Sequence, residues 1–92
     1  MSIGGTSRLA RGKDVMAAVL DDTVMLMSAE SDGYYGLDGV ARAVWDRLET
    51  PATFDEVHAH LVAMFEHDPG AIRADLIAFV EDASAEGVLD VA

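Results

Sequence analysis

The side chains best suited to chemistry in this chain are His58, His60 and His67, together with Asp21-Asp22 and Asp68. Imidazole can move a proton near neutral pH or bind a metal through its neutral nitrogen. Spacing argues against both uses. His58 and His60 stand two apart in a helical stretch and so point in different directions, His67 falls at the helix end, and there is no His-Glu-x-x-His pair to hold zinc on one helix face. The absence of cysteine removes disulfides, thiolate metal sites and a cysteine nucleophile. A hydroxyl nucleophile would be a serine or threonine, several of which are occupied in turns and caps, and no triad can be assembled. Asp21-Asp22 and Asp68 lack the calcium-loop pattern and read as turn and cap residues. Gly33, Gly36 and Gly39 recur every three residues, but a dinucleotide fingerprint needs a longer strand and helix alternation than this chain can hold. The expectation is a protein without catalytic residues, metal or cofactor, and so not an enzyme.

What remains is the chemistry of the backbone. In Asp32-Gly33-Tyr34-Tyr35-Gly36-Leu37-Asp38-Gly39 an acidic turn opens a short apolar strand that runs directly into a helix cap. Tyr34 to Leu37 reads as extended and Asp38 as the cap of a helix starting at Gly39. A short aromatic strand placed last in a small sheet is an edge, and its unpaired amides and carbonyls can receive a peptide as an added strand. Tyr34 and Tyr35 point to opposite sides, one into the core and the other free to line a groove. Gly36 leaves a gap beside Tyr34 or lets another backbone come close. The third helix supplies a groove wall, with Arg73 and Asp75 beside Ile72, Leu76 and Phe79.

The elements that must position this strand follow from periodicity. Val15 to Leu20 and Thr23 to Met27 are apolar runs joined by Asp21-Asp22, a hairpin pattern. The second run does not alternate cleanly, which predicts a middle strand covered on both faces. Helix one is expected from Gly39 to about Leu48, with Val40, Ala41, Val44, Trp45 and Leu48 forming the buried stripe. Thr53 and Glu56 make a capping box for helix two, whose inner side carries Val57, Leu61, Met64 and Phe65 and which ends near His67. Asp68-Pro69 caps helix three, Ile72, Leu76, Phe79, Val80 and Ala83 face inward, and Gly87 stops the helix before Val88 and Leu89 return to the core.

A chain of 92 residues forms one domain and buries about 60 to 65% of its unfolded surface. Residues 1–12 read as a flexible lead and 13–92 as the single domain. Seventeen acidic residues against six basic ones, with a net charge of -11 spread along the chain, repel phosphate backbones and make nucleic acid an unsuitable partner. No apolar run reaches the length that spans a bilayer, and Met1 to Thr6 lacks the basic flank of an export signal, so a cytoplasmic location without membrane contact is expected.

Asp32-Gly33-Tyr34-Tyr35-Gly36-Leu37-Asp38, then Ala41 and Val44-Trp45 with Leu48, Thr53-x-x-Glu56-Val57 with Leu61, Ile72-x-x-Asp75-Leu76 with Phe79, and Gly87-Val88-Leu89 together resemble the PqqD-like family. This is the pyrroloquinoline quinone biosynthesis protein D group with the related recognition elements of ribosomally made, modified peptides. The resemblance runs from about Asp14 to Leu89. It implies an α+β, winged-helix-like fold in which a three-stranded antiparallel sheet is followed by three helices. It also implies a peptide-binding role: a precursor's leader segment lies beside Tyr34, Tyr35, Gly36 and Leu37 and against Ile72, Arg73, Asp75, Leu76 and Phe79. The aromatic strand and the Trp45 helix look closest to the stand-alone proteins of lasso peptide pathways, whose partners are the precursor leader and a leader peptidase or other peptide-modifying enzyme. Two departures stand out. Asp38 replaces the family's usual Asn, which also caps helices, and Pro51-Ala52 replaces a common Gly before the second cap. The alternatives are a peptide carrier in pyrroloquinoline quinone biosynthesis, which delivers to a radical enzyme, and a winged-helix transcription regulator, which the acidic balance disfavours.

Overall fold

Val15–Leu20 (β2) and Thr23–Ser28 (β3) form the hairpin that the two apolar runs predict, with Leu20 opposite Thr23 across the turn. Asp21 takes the left-handed backbone angle, φ 54°, that a two-residue hairpin turn uses at its first position and that Asp tolerates better than most residues. Tyr34–Leu37 (β4) pairs antiparallel with β3, giving the order β2-β3-β4 with β4 at the edge. The computed structural model describes residues 3–21, 23–28, 34–37, 39–66 and 68–92. The expected Ser28 to Gly33 turn, the Asp38 cap and the helix end at His67 fall partly or wholly outside the described residues.

Three helices follow: α1 over Gly39–Arg47, α2 over Phe54–Met64 and α3 over Pro69–Ala85. The capping box of α2 is complete, with the Glu56 amide donating to Thr53 Oγ1 at 3.2 Å and the Thr53 amide donating to Glu56 Oε1 at 2.9 Å. Those bonds, with Arg47 and Arg8 nearby, hold the Glu56 carboxyl below its ordinary value. Asp68 accepts from the Ala71 amide at the start of α3, and Pro69 occupies the first turn. Beyond the end of α3, Gly87 turns the chain at φ 76°, an angle open to glycine. None of the helices among the described residues is long and apolar enough to cross a membrane.

The helices bury Ala43, Val44, Trp45, Leu48, Phe54, Val57, Leu61, Ile72, Leu76, Val80 and Ala83 against Val24, Leu26 and Leu37 of the sheet. Thus the α+β, winged-helix-like arrangement stands: a three-stranded antiparallel sheet followed by three helices. Two expectations about its layers change. Covering stops at one face of β3, where Val24 and Leu26 are buried, whereas Met27 on the other face is exposed, because the core lies entirely on the Val24 and Leu26 side. Met64 is exposed rather than inward, since α2 ends there, and Phe54 at the start of α2 is fully buried.

A second sheet was not expected from the sequence. Arg8–Arg11 (β1) lies within residues 1–12, which read as a flexible lead, yet it is the middle strand between Ala52–Thr53 (β5) and Leu89–Val91 (β6). Leu9 sits opposite both Ala52 and Val91 and is fully buried. Arg11 donates from Nε and Nη2 to the Trp45 carbonyl oxygen at 3.1 and 2.7 Å, and its guanidinium stands 4.3 Å from the Trp45 ring centroid. A four-residue strand paired only to distant short segments has no periodicity of its own to read.

If β1 belongs to the folded unit, Leu9→Ala should lower stability by about 2 to 5 kcal/mol, the cost of emptying a buried leucine site, measured by urea denaturation. A flexible lead would show no change. The lowered carboxyl of Glu56 stabilises the fold above the ordinary glutamate value of 4.5, and this contribution is lost as pH falls through the lower folded value. Glu56→Gln should flatten that acid limb in thermal melts.

Candidate functional site

Among the described residues, β4 is paired with β3 on one side and with no strand on the other. Four residues are too few to hold a strand by pairing alone, and two side chains anchor it. Leu37 is fully buried in the core. Tyr35 lies half-buried against α3, with its ring centroid 6.1 Å from that of Phe79 at a tilt of 58° and its hydroxyl donating to Asp82 Oδ2 at 2.7 Å. Burial pushes the Tyr35 phenol up from its ordinary value of 10.0, and the Asp82 bond and the charges of Asp82 and Glu86 push it further. β4 is therefore held against α3 through the Tyr35 side chain.

The structure divides the residues singled out on α3. Ile72 and Leu76 are buried in the core. Phe79 is only partly buried and faces Tyr35. Asp75 is exposed and lies one helical turn from Phe79 on the same stripe, since residues 75, 79, 82 and 86 follow spacings of four, three and four. Arg73 lies elsewhere. Its guanidinium stands 3.6 Å from Asp55 and 4.9 Å from the Phe54 ring centroid, which ties α3 to the start of α2. Asp82 was not singled out by sequence reasoning, although its place on the Asp75 and Phe79 stripe was a signal that could have found it.

Tyr34 and Gly36 face the other side of the sheet. Tyr34 is 72% exposed. Gly36 opposes Met25, whose sulfur would lie 3.4 Å from a side chain there, so the gap beside Tyr34 is occupied by methionine. An apolar hollow of about 120 Å³ on this side is lined by Met16, Ala17, Ala18, Met25, Met27 and Tyr34. A more polar cavity of about 250 Å³, lined by Lys13, Asp14, Ser28, Gly87 and Asp90, contains none of the candidate residues.

His58 and His60 lie on α2. His58 Nε2 lies 3.0 Å from the Pro69 carbonyl oxygen, and its ring stacks on Phe54 at 6.5 Å; a carbonyl only accepts, so the contact needs the proton on Nε2. His60 is exposed, and His67 lies outside the described residues. Among the described residues no three His, Asp or Glu side chains cluster as a metal site would require.

This geometry can be set beside known proteins. No curated protein matches the chain. A solved structure described as "TbiB1 in Complex with the TbiA(beta) Leader Peptide" superposes with a TM-score of 0.78 at 26% sequence identity, covering 88% of this chain and 94% of that one. The family model described as Coenzyme PQQ synthesis protein D matches residues 23–89, which spans β3, the edge strand, all three helices and the turn into β6. By that match the chain belongs to the Coenzyme PQQ synthesis protein D (PqqD) family.

Proposed function

We propose that this protein binds the leader segment of a ribosomally made precursor peptide as a strand added to β4, and presents the peptide to a leader protease and other maturation enzymes of a lasso pathway in the cytoplasm. The observation that carries the reading is the open edge of β4, a strand held against α3, in a fold shared with a protein solved bound to a leader peptide. An added strand gains affinity from main-chain hydrogen bonds and selectivity from pockets for alternate side chains. In this reading Tyr34 to Leu37 supply the backbone, and Tyr35, Phe79 and Asp75 face the peptide. Ile72 and Leu76 form the buried side of α3, and Arg73 stands beside Asp55 at the start of α2. The role is one of binding without turnover. The family description favours a second destination for the same binding mode, a peptide carried to an enzyme of quinone cofactor synthesis.

Titration of the protein with the leader encoded beside it should raise amide protection along residues 34–37 and shift the side-chain signals of Phe79, followed by NMR. Changes confined to residues 57–65 of α2 and its end would falsify strand addition. Phe79→Asp should weaken binding at least tenfold, about 1.4 kcal/mol, while circular dichroism stays unchanged. A full set of lasso and cofactor leaders, compared by calorimetry, separates the two destinations. Tyr35 gives a pH test of the anchor. With its phenol raised in the folded state, the contact is fully present below the ordinary value of 10.0 and is lost as pH rises through the higher folded value. Tyr35→Phe should therefore flatten the alkaline limb of thermal stability.

A further inference from the structure

The strand β2 is exposed along its whole length after Val15, and on both faces: Met16 is 71%, Val19 65% and Leu20 60% exposed. Met16, Ala18 and Leu20 share the uncovered face with Met25 and Met27, whereas Ala17 and Val19 share the core face of the sheet and are exposed there. Its outer edge is also unpaired among the described residues, since the sheet order is β2-β3-β4. Proteins usually blunt such an edge with Lys, Pro, a bulge or an inward-pointing charge. The segment Val15-Met16-Ala17-Ala18-Val19-Leu20 contains no charge and no proline, and it pairs with β3 residue for residue without a bulge.

We infer that the occupant of this edge is a second copy of the chain, with β2 pairing antiparallel to β2 of its partner about a two-fold axis at Ala17. Charge selects both the surface and the register. A net charge of -11 makes two copies repel unless they meet where charge is absent, and β2, β3 and β4 carry no Asp, Glu, Lys or Arg at any of their positions. Residues opposite each other in an antiparallel pair either both turn their backbone groups toward the partner or both turn them away, in alternation, so only registers joining residues of the same parity are possible. With Ala17 opposite Ala17, Val15 meets Val19 and Lys13 meets Asp21, both of which are exposed, twice by symmetry. Shifting the axis to Ala18 puts Val15 opposite Asp21 and loses the Lys13 and Asp21 pairing. Pairing over six residues with side chains on both faces buries on the order of 1,000 Å² in total, the lower range of a specific interface. The result is a continuous six-stranded sheet whose two ends are the β4 edges, both still open.

Because the chain contains no cysteine, single substitutions report the register directly. Two Ala17→Cys protomers would place their Cα atoms about 5 Å apart, within disulfide reach, whereas Ala18→Cys would lie beyond the roughly 7 Å limit. Under mild oxidation Ala17→Cys should form covalent dimers at least about tenfold faster than Ala18→Cys. Sedimentation equilibrium of the unmodified protein should show a monomer-dimer equilibrium, and Val19→Lys, at an exposed position, should shift it to monomer with unchanged circular dichroism. Three results would overturn the inference: a monomer at all concentrations with equally slow cross-linking of both variants, a dimer that persists in Val19→Lys, or amide protection of β2 that arises only on adding a maturation enzyme. Leader binding is read separately at β4, so its failure would leave this test intact.

Discussion

A four-residue strand at the edge of a sheet has too few hydrogen bonds to stay in place alone, and the candidate site depends on how β4 is held. Leu37 is driven into the core, where it has no exposed surface, and Tyr35 is tied to α3 through the Phe79 ring and the Asp82 carboxylate. Both side chains act on the inner face, so neither uses the outer edge of the strand. That separation leaves the outer edge of β4 without a strand partner among the described residues. A pre-set strand also lowers the ordering cost an incoming peptide would otherwise meet.

The second sheet solves a different problem. In a domain this small, loose ends expose much of the surface that must be buried. Here β1 joins the start of the chain to the link between α1 and α2 and to the last strand, and Leu9 closes the core from that side. Arg11 extends the same strand toward α1, placing its guanidinium over Trp45 and donating to that residue's carbonyl near the end of the helix. A cation there is also favoured by the helix dipole. The helices thus share one core with both the β2-β3-β4 sheet and the β5-β1-β6 sheet.

Charge and apolarity are segregated. The acidic excess lies outside the strands of the β2-β3-β4 sheet, whose uncovered face and outer strand are apolar and neutral. General repulsion keeps most of the surface apart from other acidic chains, while an uncharged sheet remains available for contacts that need no counter-charge.

Local signals in the sequence determined the hairpin, the edge strand, the caps of α2 and α3 and the buried positions Ile72, Leu76, Val80 and Ala83, because each is written within a few residues as a period, a turn or a capping pair. The Thr53 and Glu56 box is the clearest of these, since both partners lie in one helical turn. Only the tertiary structure decided that Arg8–Arg11 is a central strand, because its partners lie more than forty residues away. The same holds for the contacts of Arg73 with Asp55 and Phe54 at the start of α2, which its place beside Ile72 and Asp75 does not show. Met27, on the opposite face of β3 from Val24 and Leu26, and Met64, in phase with Val57 and Leu61, stay exposed because the core lies on one side of the sheet and α2 ends at Met64. Apolar periodicity states which face could be buried; whether another layer exists to cover it depends on packing between distant parts of the chain.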